Sequence, residues 1–172
     1  MFTARICLGF FCAAFIGSNR LPERNLLKND VLAIASQEVG VRERTGNNDG
    51  ERIEEYLHTV GLHRGDPYCA AFVSWLYKKA GYPGPRTGWS PDLFPTKRLV
   101  KDPKPEDVFG VYIASKRRIA HCGIVERMHS DFIYTIEANT NNSGGAEGDG
   151  VYRRMRHKRS ISKYASWKGG KS

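Results

Sequence analysis

The chain has 172 residues, 40% hydrophobic and 11% aromatic, which is enough for one domain with a real core and too few for two comfortable ones. Lysine and arginine (27) outnumber aspartate and glutamate (18), so the net charge of +9 favours an anionic partner: nucleic acid, a membrane surface or a cell-envelope polymer. Four cysteines, two of them within the first 12 residues, exclude a disulfide-stapled scaffold.

The chain begins with "MFTAR", carrying one positive charge, followed by an apolar run from Ile6 to Gly17. That run has the length of a signal-peptide core and is too short to span a bilayer as a helix. Residues 1–18 are therefore expected to be a signal peptide, with cleavage near Ala14 or Ser18, and residues 19–28 a linker. The mature protein would be secreted or periplasmic, a monomer without a membrane span, and residues 29–172 its single domain. Cys7 and Cys12 leave with the leader; Cys69 and Cys122 remain.

"NDVLAIASQEVGVRE" predicts a helix capped by Asn29 or Asp30, with Val31, Leu32, Ile34, Ala35 and Val39 on one face. Residues 44–52 compose a loop, and "ERIEEYLHTVG" a second helix closed by Gly61. A third helix is expected with Asp66 as its cap, Pro67 at its first position and Cys69 at its third. Its stripe is Ala70, Phe72, Val73, Leu76, Tyr77 and Ala80, and Gly81 ends it. The proline- and glycine-rich segment 82–105 reads as an ordered loop anchored by Trp89 and Phe94. The period then changes to strands over 107–113, 119–127, 131–139, 150–156 and 163–167. Helices first and strands afterwards predict an α+β domain, its helices packed on one face of an antiparallel sheet of five to six strands.

Cys69, in the first turn of a helix, sits in a partial positive field that favours thiolate over thiol. Free backbone N–H groups nearby can also hold a developing oxyanion. Taken alone, a buried structural cysteine explains the position as well. His121 adds weight, because an imidazole between apolar residues of a strand requires a partner. If the following hairpin turns around His129 and Ser130, His121 faces Glu137 or Asn139, with Cβ atoms about 5 Å apart. A helix-borne thiol, a strand-borne histidine and a polar orienter on the next strand follow the logic of a cysteine hydrolase.

"GDPYCAAFVSW", "IAHCGIVE" and "IEANT", with "EVGVRERTGNNDG" upstream and "GDGVYRRMR" downstream, resemble the cysteine, histidine-dependent amidohydrolase/peptidase (CHAP) family. The resemblance runs from about residue 36 to 156 and implies a papain-like fold. It implies that Cys69 attacks an amide carbonyl, that His121 takes the thiol proton and returns it to the leaving amine, and that Glu137 orients His121. Asn139 would share that task or hold Glu137 and substrate. The related NlpC-type peptidases usually carry a second histidine as orienter, where Glu137 and Asn139 stand here. The substrates implied are the peptide stems of peptidoglycan, cut as an N-acetylmuramoyl-L-alanine amidase or as an endopeptidase. The family usually has tryptophan before its cysteine; Tyr68 would keep an aromatic wall there, and Asn48, Asp66 and Trp89 are further candidates for substrate contact.

Rival readings fit less well. A zinc site from Cys69, Cys122 and His121 fails because neighbouring strand residues point to opposite faces. Cys122 is accordingly expected to be buried packing, and a Cys69–Cys122 disulfide would silence the enzyme. "TGNNDGE" lacks the alternating acidic ligands of a calcium loop, and no metal or cofactor is expected. The basic run "RRMRHKRS" has no stacking aromatics or nucleic-acid motif beside it, so no nucleic-acid partner is expected. The alternatives retained are an inactive CHAP-like module that grips wall peptide, and a cysteine amidohydrolase acting on a non-wall amide.

Overall fold

Asp30 starts the first helix as its sequence foretells: its carboxylate accepts the N–H groups of Leu32 (2.8 Å) and Ala33 (3.1 Å), two donors with no partner inside the helix. The computed structural model describes residues 30–141 and 148–169; the expected signal peptide (1–18) and linker (19–28) lie outside the described residues. The first helix, α1 (Val31–Glu38), buries Val31, Ala35 and Glu38, and α2 (Glu51–His58) buries Ile53, Tyr56 and Leu57. The buried Glu38 accepts the Tyr56 hydroxyl and lies 3.3 Å from Arg52, which ties the two helices together.

The third helix, α3 (Cys69–Lys79), differs from the single stripe expected of it. Every residue from Cys69 to Tyr77 is buried. The helix is wrapped, with α1 and α2 on one side and the sheet on the other, so even its small residues Ala70, Ala71 and Ser74 have no solvent face. Exposure returns at Lys78 and Lys79, whose charges suit the helix C-terminus. Gly81, at φ 83°, then turns the chain away in a conformation that favours glycine.

Segment 82–105 forms two 3-10 turns, Ser90–Leu93 and Thr96–Arg98. Phe94 anchors it in the core as expected, together with Leu93, but Trp89 does not: it is 49% exposed, with the Arg118 guanidinium 3.9 Å from its ring centroid. Of the two expected anchors, only Phe94 serves as one.

The strands are β1 (Val108–Ile113), β2 (Arg118–His129), β3 (Phe132–Thr140), β4 (Gly150–His157) and β5 (Lys163–Ala165). They form one sheet in the order β4-β3-β2-β1-β5, each neighbour antiparallel. Val108, Cys122, Ile124, Ile136, Ala138 and Val151 join the helices in the main core. A smaller cluster, Phe109, Val125 and Ile133, is covered by Met128, Ile161 and Tyr164. This is the α+β arrangement expected from the sequence and is consistent with a papain-like fold. Among the described residues no helix is long and apolar enough to cross a membrane.

Candidate active site

Two features of the fold create the site: an early stop in strand pairing and a late start of α3. The β2–β3 hairpin turns at Ser130 (φ 48°), pairs His129 with Phe132, and shifts register between Val125 and Arg127. Its paired register ends at Ile124↔Ile136, so His121 lies beyond the last pair. At the parting point stands Gly123. A Cβ there would fall 2.7 Å from the Ile136 carbonyl oxygen and 3.1 Å from Glu137 Cγ, so only glycine lets Glu137 lie against β2.

Glu137 is fully buried and is the group that meets the His121 ring: Nε2 and Oε2 are 2.7 Å apart. The carboxylate also accepts Thr135 Oγ1 (2.6 Å) and a bidentate pair from Arg156, Nε to Oε1 and Nη2 to Oε2, each 2.6 Å. Both oxygens are thus occupied, in the geometry that makes a charged pair strong. Asn139 takes neither place at the ring. It sits at φ 54° where the β3–β4 register shifts, and its amide donates to Asn48 Oδ1 at 3.3 Å.

The start of α3 differs from prediction. The Asp66 carboxylate accepts the N–H of His63 (2.9 Å), closing a local turn, and so cannot cap the helix. Tyr68 is the residue before the helix, its carbonyl accepting the N–H of Phe72, and Cys69 is the first helical residue rather than the third. The sulfur therefore stands at the very end of the helix, where backbone N–H groups have no intrahelical acceptor.

Cys122 is buried packing, as expected, but it has a second neighbour. It does face the helix side of the sheet, in the main core, while His121 contacts the Phe109 ring of the other cluster. Cys69 belongs to that same main core, and the Ser90 hydroxyl lies within reach of both sulfurs. Both cysteines are free. Ser90 Oγ lies 3.5 Å from Cys69 Sγ and 4.0 Å from Cys122 Sγ.

These contacts set the charges. The hydrogen bond from Cys122 holds the Cys69 thiol well below its ordinary value; burial opposes this, and the hydrogen bond and charge of His121 and the contact with Ser90 reinforce it. Burial, followed by the Cys69 hydrogen bond and charge, pushes Cys122 well up. Burial disfavours a charged His121, but its hydrogen bonds to Cys69 and Glu137 outweigh that and raise it to about 9. Burial likewise works against Glu137 ionising, yet the bonds from Arg156 and His121 bring it down to about 2. With Nε2 committed to Glu137, the other ring nitrogen is the one left for Cys69. These directions favour a thiolate–imidazolium pair in front of an Arg-bound carboxylate.

The pair opens onto a cleft of about 550 Å³ lined by the Asn47–Asn48 loop, β1, the ends of β2 and β3, and β4. Of the residues singled out in the sequence, Cys69, His121, Asn139 and Asn48 line it, and Glu137 stands behind His121. Three do not line it. Tyr68 is fully buried, its hydroxyl donating to Glu43 (3.1 Å), so it forms no wall for substrate. Asp66 is occupied by its own turn, and Trp89 lies outside the lining. Asp49 is also fully buried, bonded to Thr45 and Arg64, and builds the loop that presents Asn47 and Asn48.

Sequence reasoning missed Arg156, Thr135 and Ser90. Strand alternation put the charges of the basic run largely on a solvated face; the observed pairs Thr135↔Arg154 and Glu137↔Tyr152 instead bring Arg156 beside Glu137. Ser90 carried no signal in its loop.

No family model matches the chain, and no curated protein does. Among solved structures it is similar to the crystal structure of Ly7917, with a TM-score of 0.47 and 15% identity over 80% of this chain and 61% of that one. It is also similar to the structure of Ly7917 with the hydrolyzing product of MDP, with a TM-score of 0.45 and 16% identity over 81% and 62%. The chain thus spans about three fifths of the length of those chains.

Proposed function

We propose that the protein is a cysteine hydrolase of CHAP type that cleaves an amide bond in the peptide part of peptidoglycan, exported on residues 1–18. The observation that carries this reading is Cys69 at the N-terminus of α3, lining one cleft with His121, whose Nε2 lies 2.7 Å from Glu137. The sequence resemblance to the CHAP family supplies the wall substrate, and the +9 charge agrees with an anionic envelope.

In this reading the Cys69 thiolate adds to the amide carbonyl, and the helix-end N–H groups steady the oxyanion. His121 gives its proton to the leaving amine as the C–N bond breaks. It then takes a proton from water as hydroxide attacks the thioester, releasing the acid and restoring the thiolate. Glu137 keeps the imidazolium oriented throughout, and Arg156 keeps Glu137 ionised.

The experiment is incubation of the purified protein with purified sacculi under mild reductant, with new amino groups compared with new reducing sugar ends. Release of amines alone supports an amidase or endopeptidase, and fragment masses name the bond. New reducing ends, or no release from walls of several chemotypes, count against the proposal.

The charges predict a pH profile. Activity is expected to plateau across neutral pH and to fall on the basic side near 9, where His121 loses the proton it must donate. The acid limb should lie well below that of an ordinary thiol. The same groups set stability. His121 is raised above its ordinary 6.5, so its contribution is complete below that value and lost as pH rises through about 9. Glu137 is lowered from 4.5, so its contribution is complete above that value and lost as pH falls through about 2. A pH–rate curve whose basic limb falls near 6.5 would show a histidine without this support.

A further inference from the structure

Among the described residues that line the cleft the charges are of one kind: Lys116, Arg154 and Arg156 face it, and no aspartate or glutamate does. Arg156 is already engaged by Glu137. The other two are not: among the described residues no carboxylate pairs with Lys116 or Arg154. Arg154 Nη1 is moreover buried without a hydrogen-bond partner among the described residues. A buried guanidinium nitrogen left unsatisfied is costly, and native proteins rarely keep one that nothing fills. The Thr135 hydroxyl, whose proton goes to Glu137, lies 3.3 Å from the Arg154 carbonyl oxygen. Arg154 thus projects from a paired central stretch of β4, opposite Thr135, and two residues from the arginine that holds Glu137.

We propose that Arg154, assisted by Lys116, forms a subsite that binds a free carboxylate of the substrate peptide beside the Cys69–His121 pair. A guanidinium fork matches a carboxylate with two parallel hydrogen bonds, and a carboxamide in the same place offers one acceptor and brings a donor against a cation. The identity of the peptide rests on the hydrolase reading above. In wall stems two free carboxylates lie close to the amide bonds: the α-carboxylate of γ-linked D-glutamate and the side-chain carboxylate of diaminopimelate. The protein would therefore distinguish stems with free carboxylates from amidated ones.

The test is calorimetric titration of the full-length Cys69→Ala protein, so that turnover cannot obscure binding. The probes are three synthetic peptides whose C-terminal carboxyl is capped as the methylamide, so that only those two carboxylates are free: L-Ala-γ-D-Glu-meso-diaminopimelate, its D-isoglutamine form, and the form amidated at the diaminopimelate side-chain carboxyl. The free-carboxylate peptide is expected to bind about 10-fold tighter than one of the amidated forms, and the form that loses affinity names the carboxylate. Adding Arg154→Gln, which keeps length without charge, should bring that ratio to about 1, and Arg154→Lys should retain part of it. Equal binding of all three, a preference that survives Arg154→Gln in a protein with an unchanged melting curve, or no binding at millimolar peptide would overturn the subsite. If Arg154→Gln does not fold, Arg154→Lys decides by the same ratio. Incubating the wild-type protein with the same peptides separates the two proposals. Cleavage at equal rates removes the subsite and keeps the hydrolase; carboxylate-dependent binding without cleavage does the reverse.

Discussion

Alanine at position 69 is expected to reduce amine release from sacculi to background, a loss of about 10⁴-fold or more, because no second nucleophile can replace the sulfur. Cys122 is the other described thiol, but it is fully buried in the core and pushed strongly toward the protonated form. The fold should survive, since alanine keeps the Cβ within the same packing and removes a single atom. Circular dichroism and a melting curve check that. His121 should respond as well: without the anion that helps raise it, its titration should move down from about 9. Turnover within about 10-fold of wild type would place the nucleophile elsewhere and end the cysteine-hydrolase reading.

Glu137→Gln should damage both activity and stability. The glutamine removes one full charge from a buried group that accepts from His121, Thr135 and twice from Arg156. Arg156 is then left without its anion, and breaking a buried pair from one side costs about 3–5 kcal/mol. The imidazolium also loses the group that orients and supports it, so kcat should fall by about 10²–10⁴-fold and the basic limb of the pH profile should move below about 9. Asn139→Ala is the control. Its amide contacts Asn48 rather than the ring, so its effect should stay within about 10-fold. The pair is read by kcat and by urea unfolding. If Asn139→Ala lost more activity than Glu137→Gln, the orienting role would pass to Asn139.

Strands were legible because their signal is local. Alternation located β1 to β5 within a few residues, and the turn at His129–Ser130 gave the hairpin register closely enough to bring His121 to Glu137 or Asn139. The choice between them was not legible, because it depends on where pairing stops and on the absent side chain of Gly123. The start of α3 was misread for a different reason. Asp66 has two local options, a helix cap and a turn back to His63, and the chain takes the second. Tyr68 looked available to substrate because its sequence neighbour is; only the packing of Tyr56 beside it, and Glu43 at its hydroxyl, show that it points inward. Arg156 was out of reach altogether, since its partner lies 19 residues away across a strand pair whose register no local pattern sets.

The wrapped position of α3 has a mechanical consequence. The two jaws of the reaction belong to different layers: the sulfur is fixed to a helix, the imidazole to the sheet beneath it. No disulfide ties the two together among the described residues, so the gap between them is a tolerance set by how tightly the solvent-free row of α3, with Phe72, Val73 and Leu76 among its members, seats on the sheet. Protein interiors pack as densely as crystals and transmit small displacements rather than absorbing them. The molecule thus works as a caliper, in which a methyl group lost well away from the cleft is read out at its tips as a change in reach.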